Sequence, residues 1–305
     1  MAAITIGLAA FLLSELHLAL PKPGFSDFVD PWLGARMLAQ GYDPYEVVRS
    51  AHPEVALYYP LPALLVILPL GWLTLAHAQS IFVGLGMAAL AYAGWNRKPL
   101  LIGCVSAGAL SCVVSGQWSL VMTASALVPM LGFMWAAKPS LGLAIAAGYV
   151  TRPAVIGALV VTAIGFLVWP KWVGAWLPGL HGSPHVAPVA RPGGFVLLAA
   201  LLRWRRPEAR VLAALSCIPQ TTMLYDTVPL FLIPATRPQA YLLAILTQVA
   251  AVVIAWRRTD LPLVLENAHQ WPVILLLVYL PALIMLLRLP NESRSEESYL
   301  ATNTR

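Results

Sequence analysis

The chain has 305 residues, 59% of them hydrophobic and only 10% charged, with a mean hydropathy of +0.76. A soluble domain carries roughly 25% charged residues, so this composition excludes a soluble enzyme or a cleaved secreted protein and makes lipid the natural solvent. The net charge of +6 sits in short clusters between apolar runs (Arg97-Lys98, Lys138, Arg203-Trp204-Arg205-Arg206, Arg257-Arg258); this is the footprint of cytoplasmic loops and not the contiguous basic face that a nucleic-acid partner needs.

Divided by the ~20 residues of one span, the length allows about nine to eleven crossings, so the expected fold is an all-α, polytopic transmembrane bundle. The apolar segments run over 3–20, 61–76, 79–95, 100–114, 118–135, 140–151, 153–169, 193–202, 210–223, 224–235, 240–256 and 272–288. The first lacks a basic n-region and is followed by Pro21 with no small-residue cleavage site, so it reads as an uncleaved signal anchor. Several later segments are too short to span. Some must be tilted, joined or re-entrant, the last being tolerated only where protein or a water-filled cavity surrounds the backbone. Pro62, Pro69, Pro129, Pro153, Pro229, Pro234 and Pro281 are expected to break or kink helices. Residues 1–290 read as one transmembrane domain with no internal repeat. Residues 291–305 read as a polar, disordered tail.

Cys104, Cys112 and Cys217 lie in apolar runs without metal-ligand or disulfide spacing and read as small buried hydrophobes. His181 and His185 bracket Gly-Ser-Pro with no acid nearby, which argues against a metal site; no cofactor is expected. Glu15 and His17, near the outer end of the first helix, are expected to pair with each other or to line a cavity. Tyr58, Tyr59, Trp169, Trp172 and Trp176 read as interfacial belts.

The first long polar connection, 21–60, holds most of the information. Asp30-Pro31 reads as an N-cap followed by proline at the first helical position. Trp32 to Gln40 then propagates as a helix with Leu33, Met37 and Leu38 on one side, suited to the membrane surface. Gly41 ends it in the C′ role, and Asp43-Pro44 forms a turn or a second cap. Asp30 and Asp43 thus have structural tasks. Asp27 has none, and a carboxylate there is open to act as a base, to bind substrate, or simply to be solvated.

In order along the chain come Asp27-Phe28, Trp32, Ala35-Arg36, Gly41-Tyr42-Asp43-Pro44-Tyr45, Tyr59-Pro60-Leu61-Pro62, Ser115-Gly116-Gln117, Gly148 to Pro153 and Pro219 to Pro229 with Tyr225-Asp226. This set resembles the GT-C superfamily of membrane glycosyltransferases, and within it glycosyltransferase family 87, the polyprenyl-phosphate-mannose-dependent mannosyltransferases. The resemblance covers about residues 1–235. It departs from the family in the displaced second proline of Tyr-Pro-Pro and in Arg152, which stands where lysine is usual.

The resemblance implies a GT-C-type bundle with a juxtamembrane helix in the first extracytoplasmic loop. It implies transfer of a sugar from a polyprenyl-phosphate donor to the hydroxyl of a glycan or glycolipid acceptor, with inversion, on the extracytoplasmic face of a bacterial inner membrane. Such chemistry needs a carboxylate to take the acceptor proton, for which Asp27 is chosen. It needs a cation for the lipid phosphate, for which Arg152 is chosen, its planar fork suiting phosphate oxygens. The sugar needs hydrogen-bond partners, with Gln117, Tyr225 and Asp226 as candidates. Each residue also has a plain structural reading: Arg152 as a headgroup anchor, Gln117 as interhelical glue. Two other functions fit the same features, a transporter or flippase for a lipid-linked sugar and a non-catalytic subunit of a membrane complex. With residues 97, 138, 205 and 237 cytoplasmic, residues 27, 117 and 226 face outward only if 61–95 crosses the membrane once.

Overall fold

Apolar runs punctuated by proline make the chain almost wholly helical. Helix accounts for 78% of it, and the only pairing of extended backbone among the described residues is a bridge between Val186 and Gln220. The computed structural model describes residues 1–20, 26–51, 57–180, 185–221, 223–257 and 263–291; nearly all of the tail expected to be disordered, and His181, lie outside them.

Helix α1 (Ala2–Leu18) runs antiparallel to α5 (Leu75–Gly94). Gly7 faces Gly84 and Ala88, and a Cβ at Gly7 would stand 2.7 Å from both the Ala88 Cβ and the Gly84 carbonyl. Small residues four apart allow this close crossing, and van der Waals packing holds it. Glu15 at the end of α1 pairs with His77 at the start of α5 at 3.0 Å; the expected pairing of Glu15 with His17 is thereby corrected, the antiparallel crossing having brought His77 nearer. We expect Gly7→Leu to lower stability by about 1–3 kcal/mol, the cost of overpacking, measured as a drop in midpoint when the detergent-solubilised protein is denatured; an unchanged midpoint would contradict the crossing.

The end of α1 and the start of α5 therefore share one end of the bundle. Everything between them returns to that end: α2 (Val29–Ala39), α3 (Pro44–Ala51), α4 (Leu61–Ile67) and the turn Leu68–Leu70. The segment 61–76 adds no crossing of its own. Gly41 takes φ +80, and Asp43 Oδ1 caps α3 by accepting the Tyr45 and Glu46 amides at 2.9 and 3.1 Å. The start of α2 differs from expectation. Phe28 holds the N-cap position with no side-chain cap hydrogen bond, Ser26 Oγ accepts the Phe28 amide at 3.2 Å just ahead of the helix, and Asp30 lies inside the first turn. The face of α2 that packs inward is Pro31, Gly34 and Ala35, because Gly34 lets Leu57 and Leu64 approach; Leu33, Met37 and Leu38 are only half-buried.

From the far end the chain comes back through α6 (Lys98–Ile102) and α7 (Ala107–Ser115), a pair bent by 55°. The next apolar stretch does not cross. Helix α8 (Ser119–Ser125) descends along α5, with Phe82 on Trp118 and Gly86 on Leu120. Pro129 then opens a 3-10 turn, Pro129–Phe133, and α9 (Met134–Ala137) climbs back. Trp135 Nε1 donates to Ser125 Oγ across the two arms at 2.8 Å. Residues 118–137 thus form a hairpin that begins and ends at the same level. The expectation that Lys138 shares an end of the bundle with Arg97, Arg205 and Arg237 fails for this reason.

Helix α10 (Pro139–Tyr149) leads away from Lys138 to the far end, where Arg97 Nη1 donates to the Tyr149 hydroxyl at 3.3 Å. Helix α11 (Arg152–Val168) returns and bends by 108° into α12 (Trp172–Leu180), which lies across the near end. The 3-10 segment Gly194–Arg203, α13 (Pro207–Cys217), the 3-10 segment Leu224–Leu232 and α14 (Arg237–Trp256) continue the alternation. It ends with α15 (Leu263–Ile274), a π-turn at Leu275–Tyr279 and α16 (Leu280–Leu287). Arginines close the far end by capping carbonyls: Arg97 to Leu232, Arg203 to Leu287 and Leu289, Arg210 to Ala147 and Gly148. Among the described residues, three helices are long and apolar enough to cross a membrane (Leu75–Gly94, Arg237–Trp256, Ala268–Leu287), or up to five spans if each bent pair counts as one. Proline and 3-10 breaks have divided the other expected spans into shorter pieces.

Candidate functional site

The near end gathers the chain's most distinctive residues around a cavity of about 480 Å3. Two backbone features and one ring contact fix its floor. The Asp27 amide donates to the Ser115 carbonyl at 3.0 Å, tying the first loop to the end of α7. Phe28 is wholly buried against Phe82, ring centroids 5.0 Å apart. Gly116, at φ +71, reverses the chain after α7; a Cβ there would stand 2.5 Å from that of Phe28, so the position needs glycine on both counts.

Past this turn Gln117 faces Asp27. Its amide nitrogen donates to Asp27 Oδ2, and its carbonyl oxygen accepts from Lys138 Nζ at 3.0 Å. One amide therefore links a carboxylate and an ammonium, the latter brought back by the hairpin. Opposite them, Asp226 Oδ2 accepts the Thr221 hydroxyl at 2.8 Å and the Met223 amide at 3.2 Å, at the head of the segment Leu224–Leu232. The Tyr225 and Thr221 hydroxyls lie 3.0 Å apart, and Lys138 Nζ stands 5.8 Å from the Tyr225 ring centre. Tyr58, Tyr59, Trp176 and His185 supply the aromatic wall, and Leu141, Leu180, Leu215 and Ile218 the apolar one. A few convergent polar groups in a mostly apolar concavity are what a small-molecule site presents.

Burial pushes the Asp27 carboxyl up to about 6, against the pull of Lys138 and the Gln117 hydrogen bond; the charges of Asp30 and Asp226 push the same way as burial. Burial, with the Lys138 charge adding to it, presses the His185 imidazole down to about 4, so it is neutral near pH 7. The site thus holds a carboxylate poised near neutrality, a cation and a neutral imidazole. Displaced pKa values in a cleft mark a functional-site candidate.

Asp27, Gln117, Tyr225 and Asp226 meet in this cavity as the sequence suggested; Arg152 does not. Helix α10 carries the chain to the opposite end before Arg152 opens α11, and its side chain is exposed there. The cation in the site is Lys138, which sequence reasoning placed elsewhere. The pattern used to choose Arg152, a basic residue followed by proline after an apolar run, recurs along the chain, and Lys138-Pro139 satisfies it as well. The belt assignment also needs correction. Tyr58, Tyr59 and Trp176 line the cavity, Trp176 Nε1 donates to the Tyr58 carbonyl at 3.0 Å, and Trp172 is buried. Cys104 and Cys112 are buried, but Cys217, the last residue of α13, is exposed. Among the described residues no group of three His, Cys, Asp or Glu side chains is placed to hold a metal ion.

Fold and site together define an all-helical chain with helices apolar enough for a membrane and a mostly apolar cavity with a few convergent polar groups at one end of the bundle. No protein-family model, curated protein or solved structure matches it.

Proposed function

We propose that this chain is a membrane glycosyltransferase of GT-C type, similar to family 87, which moves a sugar, mannose by that resemblance, from a polyprenyl-phosphate donor to the hydroxyl of a glycan or glycolipid acceptor. The observation that carries this reading is the linked set Asp27–Gln117–Lys138 at a cavity whose other wall is Tyr225 and Asp226. In a single displacement the acceptor oxygen attacks the anomeric carbon and gives its proton to Asp27, while the bond from that carbon to the phosphate oxygen breaks. The configuration inverts and the polyprenyl phosphate leaves. Lys138 balances the charge on the departing phosphate, in a buried setting where a fixed cation is worth far more than in water. Gln117 keeps base and cation apart by one amide, so that neither neutralises the other directly. Asp226, Tyr225 and neutral His185 are the partners for sugar hydroxyls.

Charge supports an orientation. The far end carries Arg97, Lys98, Arg152, Arg203, Arg205, Arg206, Arg210, Arg237 and Arg288 with the acid Glu208 among them, whereas the cavity end mixes Arg36, Arg49, Lys138, Lys171, Arg191 and Arg257 with Glu15, Asp27, Asp30, Asp43, Glu46 and Asp226. By the positive-inside rule the far end is cytoplasmic and the cavity opens outward, in a bacterial inner membrane by the same resemblance.

The test is transfer of labelled sugar from synthetic polyprenyl-phosphate-mannose by purified protein in nanodiscs. A base acts when deprotonated, so kcat/KM is expected to be level above pH 7 and to fall about tenfold per unit as pH drops below about 6. A rate that climbs toward acid would remove Asp27 from the base role. Donor binding without transfer or hydrolysis would favour the transporter reading.

A further inference from the structure

We propose that Gln79 is a positioning residue for Asp27: from inside α5 it fixes, through Ser26 and the Val114 carbonyl, the two stretches of backbone that carry Asp27 and Gln117. The inference rests on Asp27 being the reacting carboxylate. Gln79 is fully buried within a helix long and apolar enough to cross a membrane, where a polar side chain is costly unless it is satisfied.

Its contacts indicate what it is there for. Its Oε1 accepts from Ser26 Oγ at 2.5 Å, one residue before Asp27. Its Nε2 donates to the Val114 carbonyl at 3.1 Å, three residues before Gln117, and reaches Ser14 of α1 only at 3.5 Å. The Gln79 Cδ also lies 3.1 Å from where a Gly116 Cβ would sit, so the amide packs on the turn that aims Gln117. The bland alternative is glue between α1 and α5. Glue would account for the Ser14 contact, the longest of the three, but that crossing is already made by Gly7, Gly84 and Ala88. The two shorter bonds instead join the first loop to the end of α7.

The groups that face Asp27 are Lys138 at the start of α10, Asp30 on α2, and Asp226 and Tyr225 on the segment 224–232. Tyr59, ahead of α4, completes the set. Gln79 brings no charge, so it can act on Asp27 only by holding the loop closed against water. Released, the loop admits water, and Asp27 loses the burial that dominates its environment.

The experiment is isotope-edited infrared titration of the Asp27 carboxyl in nanodiscs, the band being assigned by its absence in Asp27→Asn. It requires no substrate. The wild-type midpoint is expected near 6. In Gln79→Leu, and in Ser26→Ala, which leaves the α1–α5 crossing untouched, it should fall by about one unit or more toward an ordinary carboxylate. Sugar transfer in both variants should lose kcat with little change in KM. Midpoints unchanged in both folded variants would overturn the proposal and leave Gln79 as glue. A midpoint that moves in a protein whose wild type transfers no sugar would keep the positioning role and overturn the transferase reading instead.

Discussion

Asp27→Asn should lower turnover by about 10^2 to 10^4-fold, the usual contribution of a positioned general base, while the protein folds as well as wild type or better. The two halves of this expectation have one origin. Burial raises the Asp27 carboxyl to about 6, so the folded protein disfavours its charged form. The linkage sign follows: a carboxyl whose folded value lies above its unfolded value favours folding at low pH and loses that contribution as pH rises through about 6. At neutral pH the charge opposes folding, and the amide removes the opposition while still accepting from Gln117 Nε2. A residue kept for stability shows the reverse, loss of both fold and activity. Thermal stability measured beside transfer separates the cases. Equal turnover in mutant and wild type would shift the base to Asp226, whose carboxylate is already engaged by Thr221 and Met223. A scaffold subunit would be indifferent to the change.

Much of this arrangement could be read from local sequence. Gly41 was expected to end α2 and Asp43 to form a turn or a cap, and the structure has Gly41 in the left-handed region and Asp43 capping α3. Asp27 stood out because the neighbouring acids had structural explanations, although one of these was misassigned: Asp30 lies inside the first turn of α2 and not at its N-cap, which is Phe28. What could not be read was the path of the chain between motifs. Residues 118–135 have the composition of a span, and nothing local distinguishes a crossing from a hairpin. The difference is made by contacts, Trp135 with Ser125 across the arms and Gly132 against Ala154 of α11. That one ambiguity propagates. A crossing there would put Lys138 at the far end and bring Arg152 to the cavity; the hairpin does the opposite. Composition likewise overestimated the full-length spans, because it counts apolar residues and is blind to the breaks at Pro129, Pro153 and Pro229.

Exchange of the two basic residues is therefore the sharpest test of the hairpin and of the chemistry together. Lys138→Met keeps the length of the side chain and removes its charge. Loss of a fixed electrostatic partner of the leaving group is expected to cost about 10^2 to 10^3 in kcat. A second effect follows from the same contact. The Lys138 charge pulls the Asp27 carboxyl down, so without it that carboxyl titrates above about 6, and the acid limb of the pH profile moves to higher pH. An anchor for headgroups would change neither quantity. Arg152→Ala, at the exposed start of α11 on the opposite end, should leave transfer within about twofold of wild type. If the outcomes are reversed, with Arg152 essential and Lys138 dispensable, the stretch 118–137 crosses the membrane after all, and the cation at the cavity has to be sought on α11. If Lys138→Met shifts the pH limb but spares kcat, Lys138 serves to tune the base, and the leaving phosphate draws its compensation from another donor.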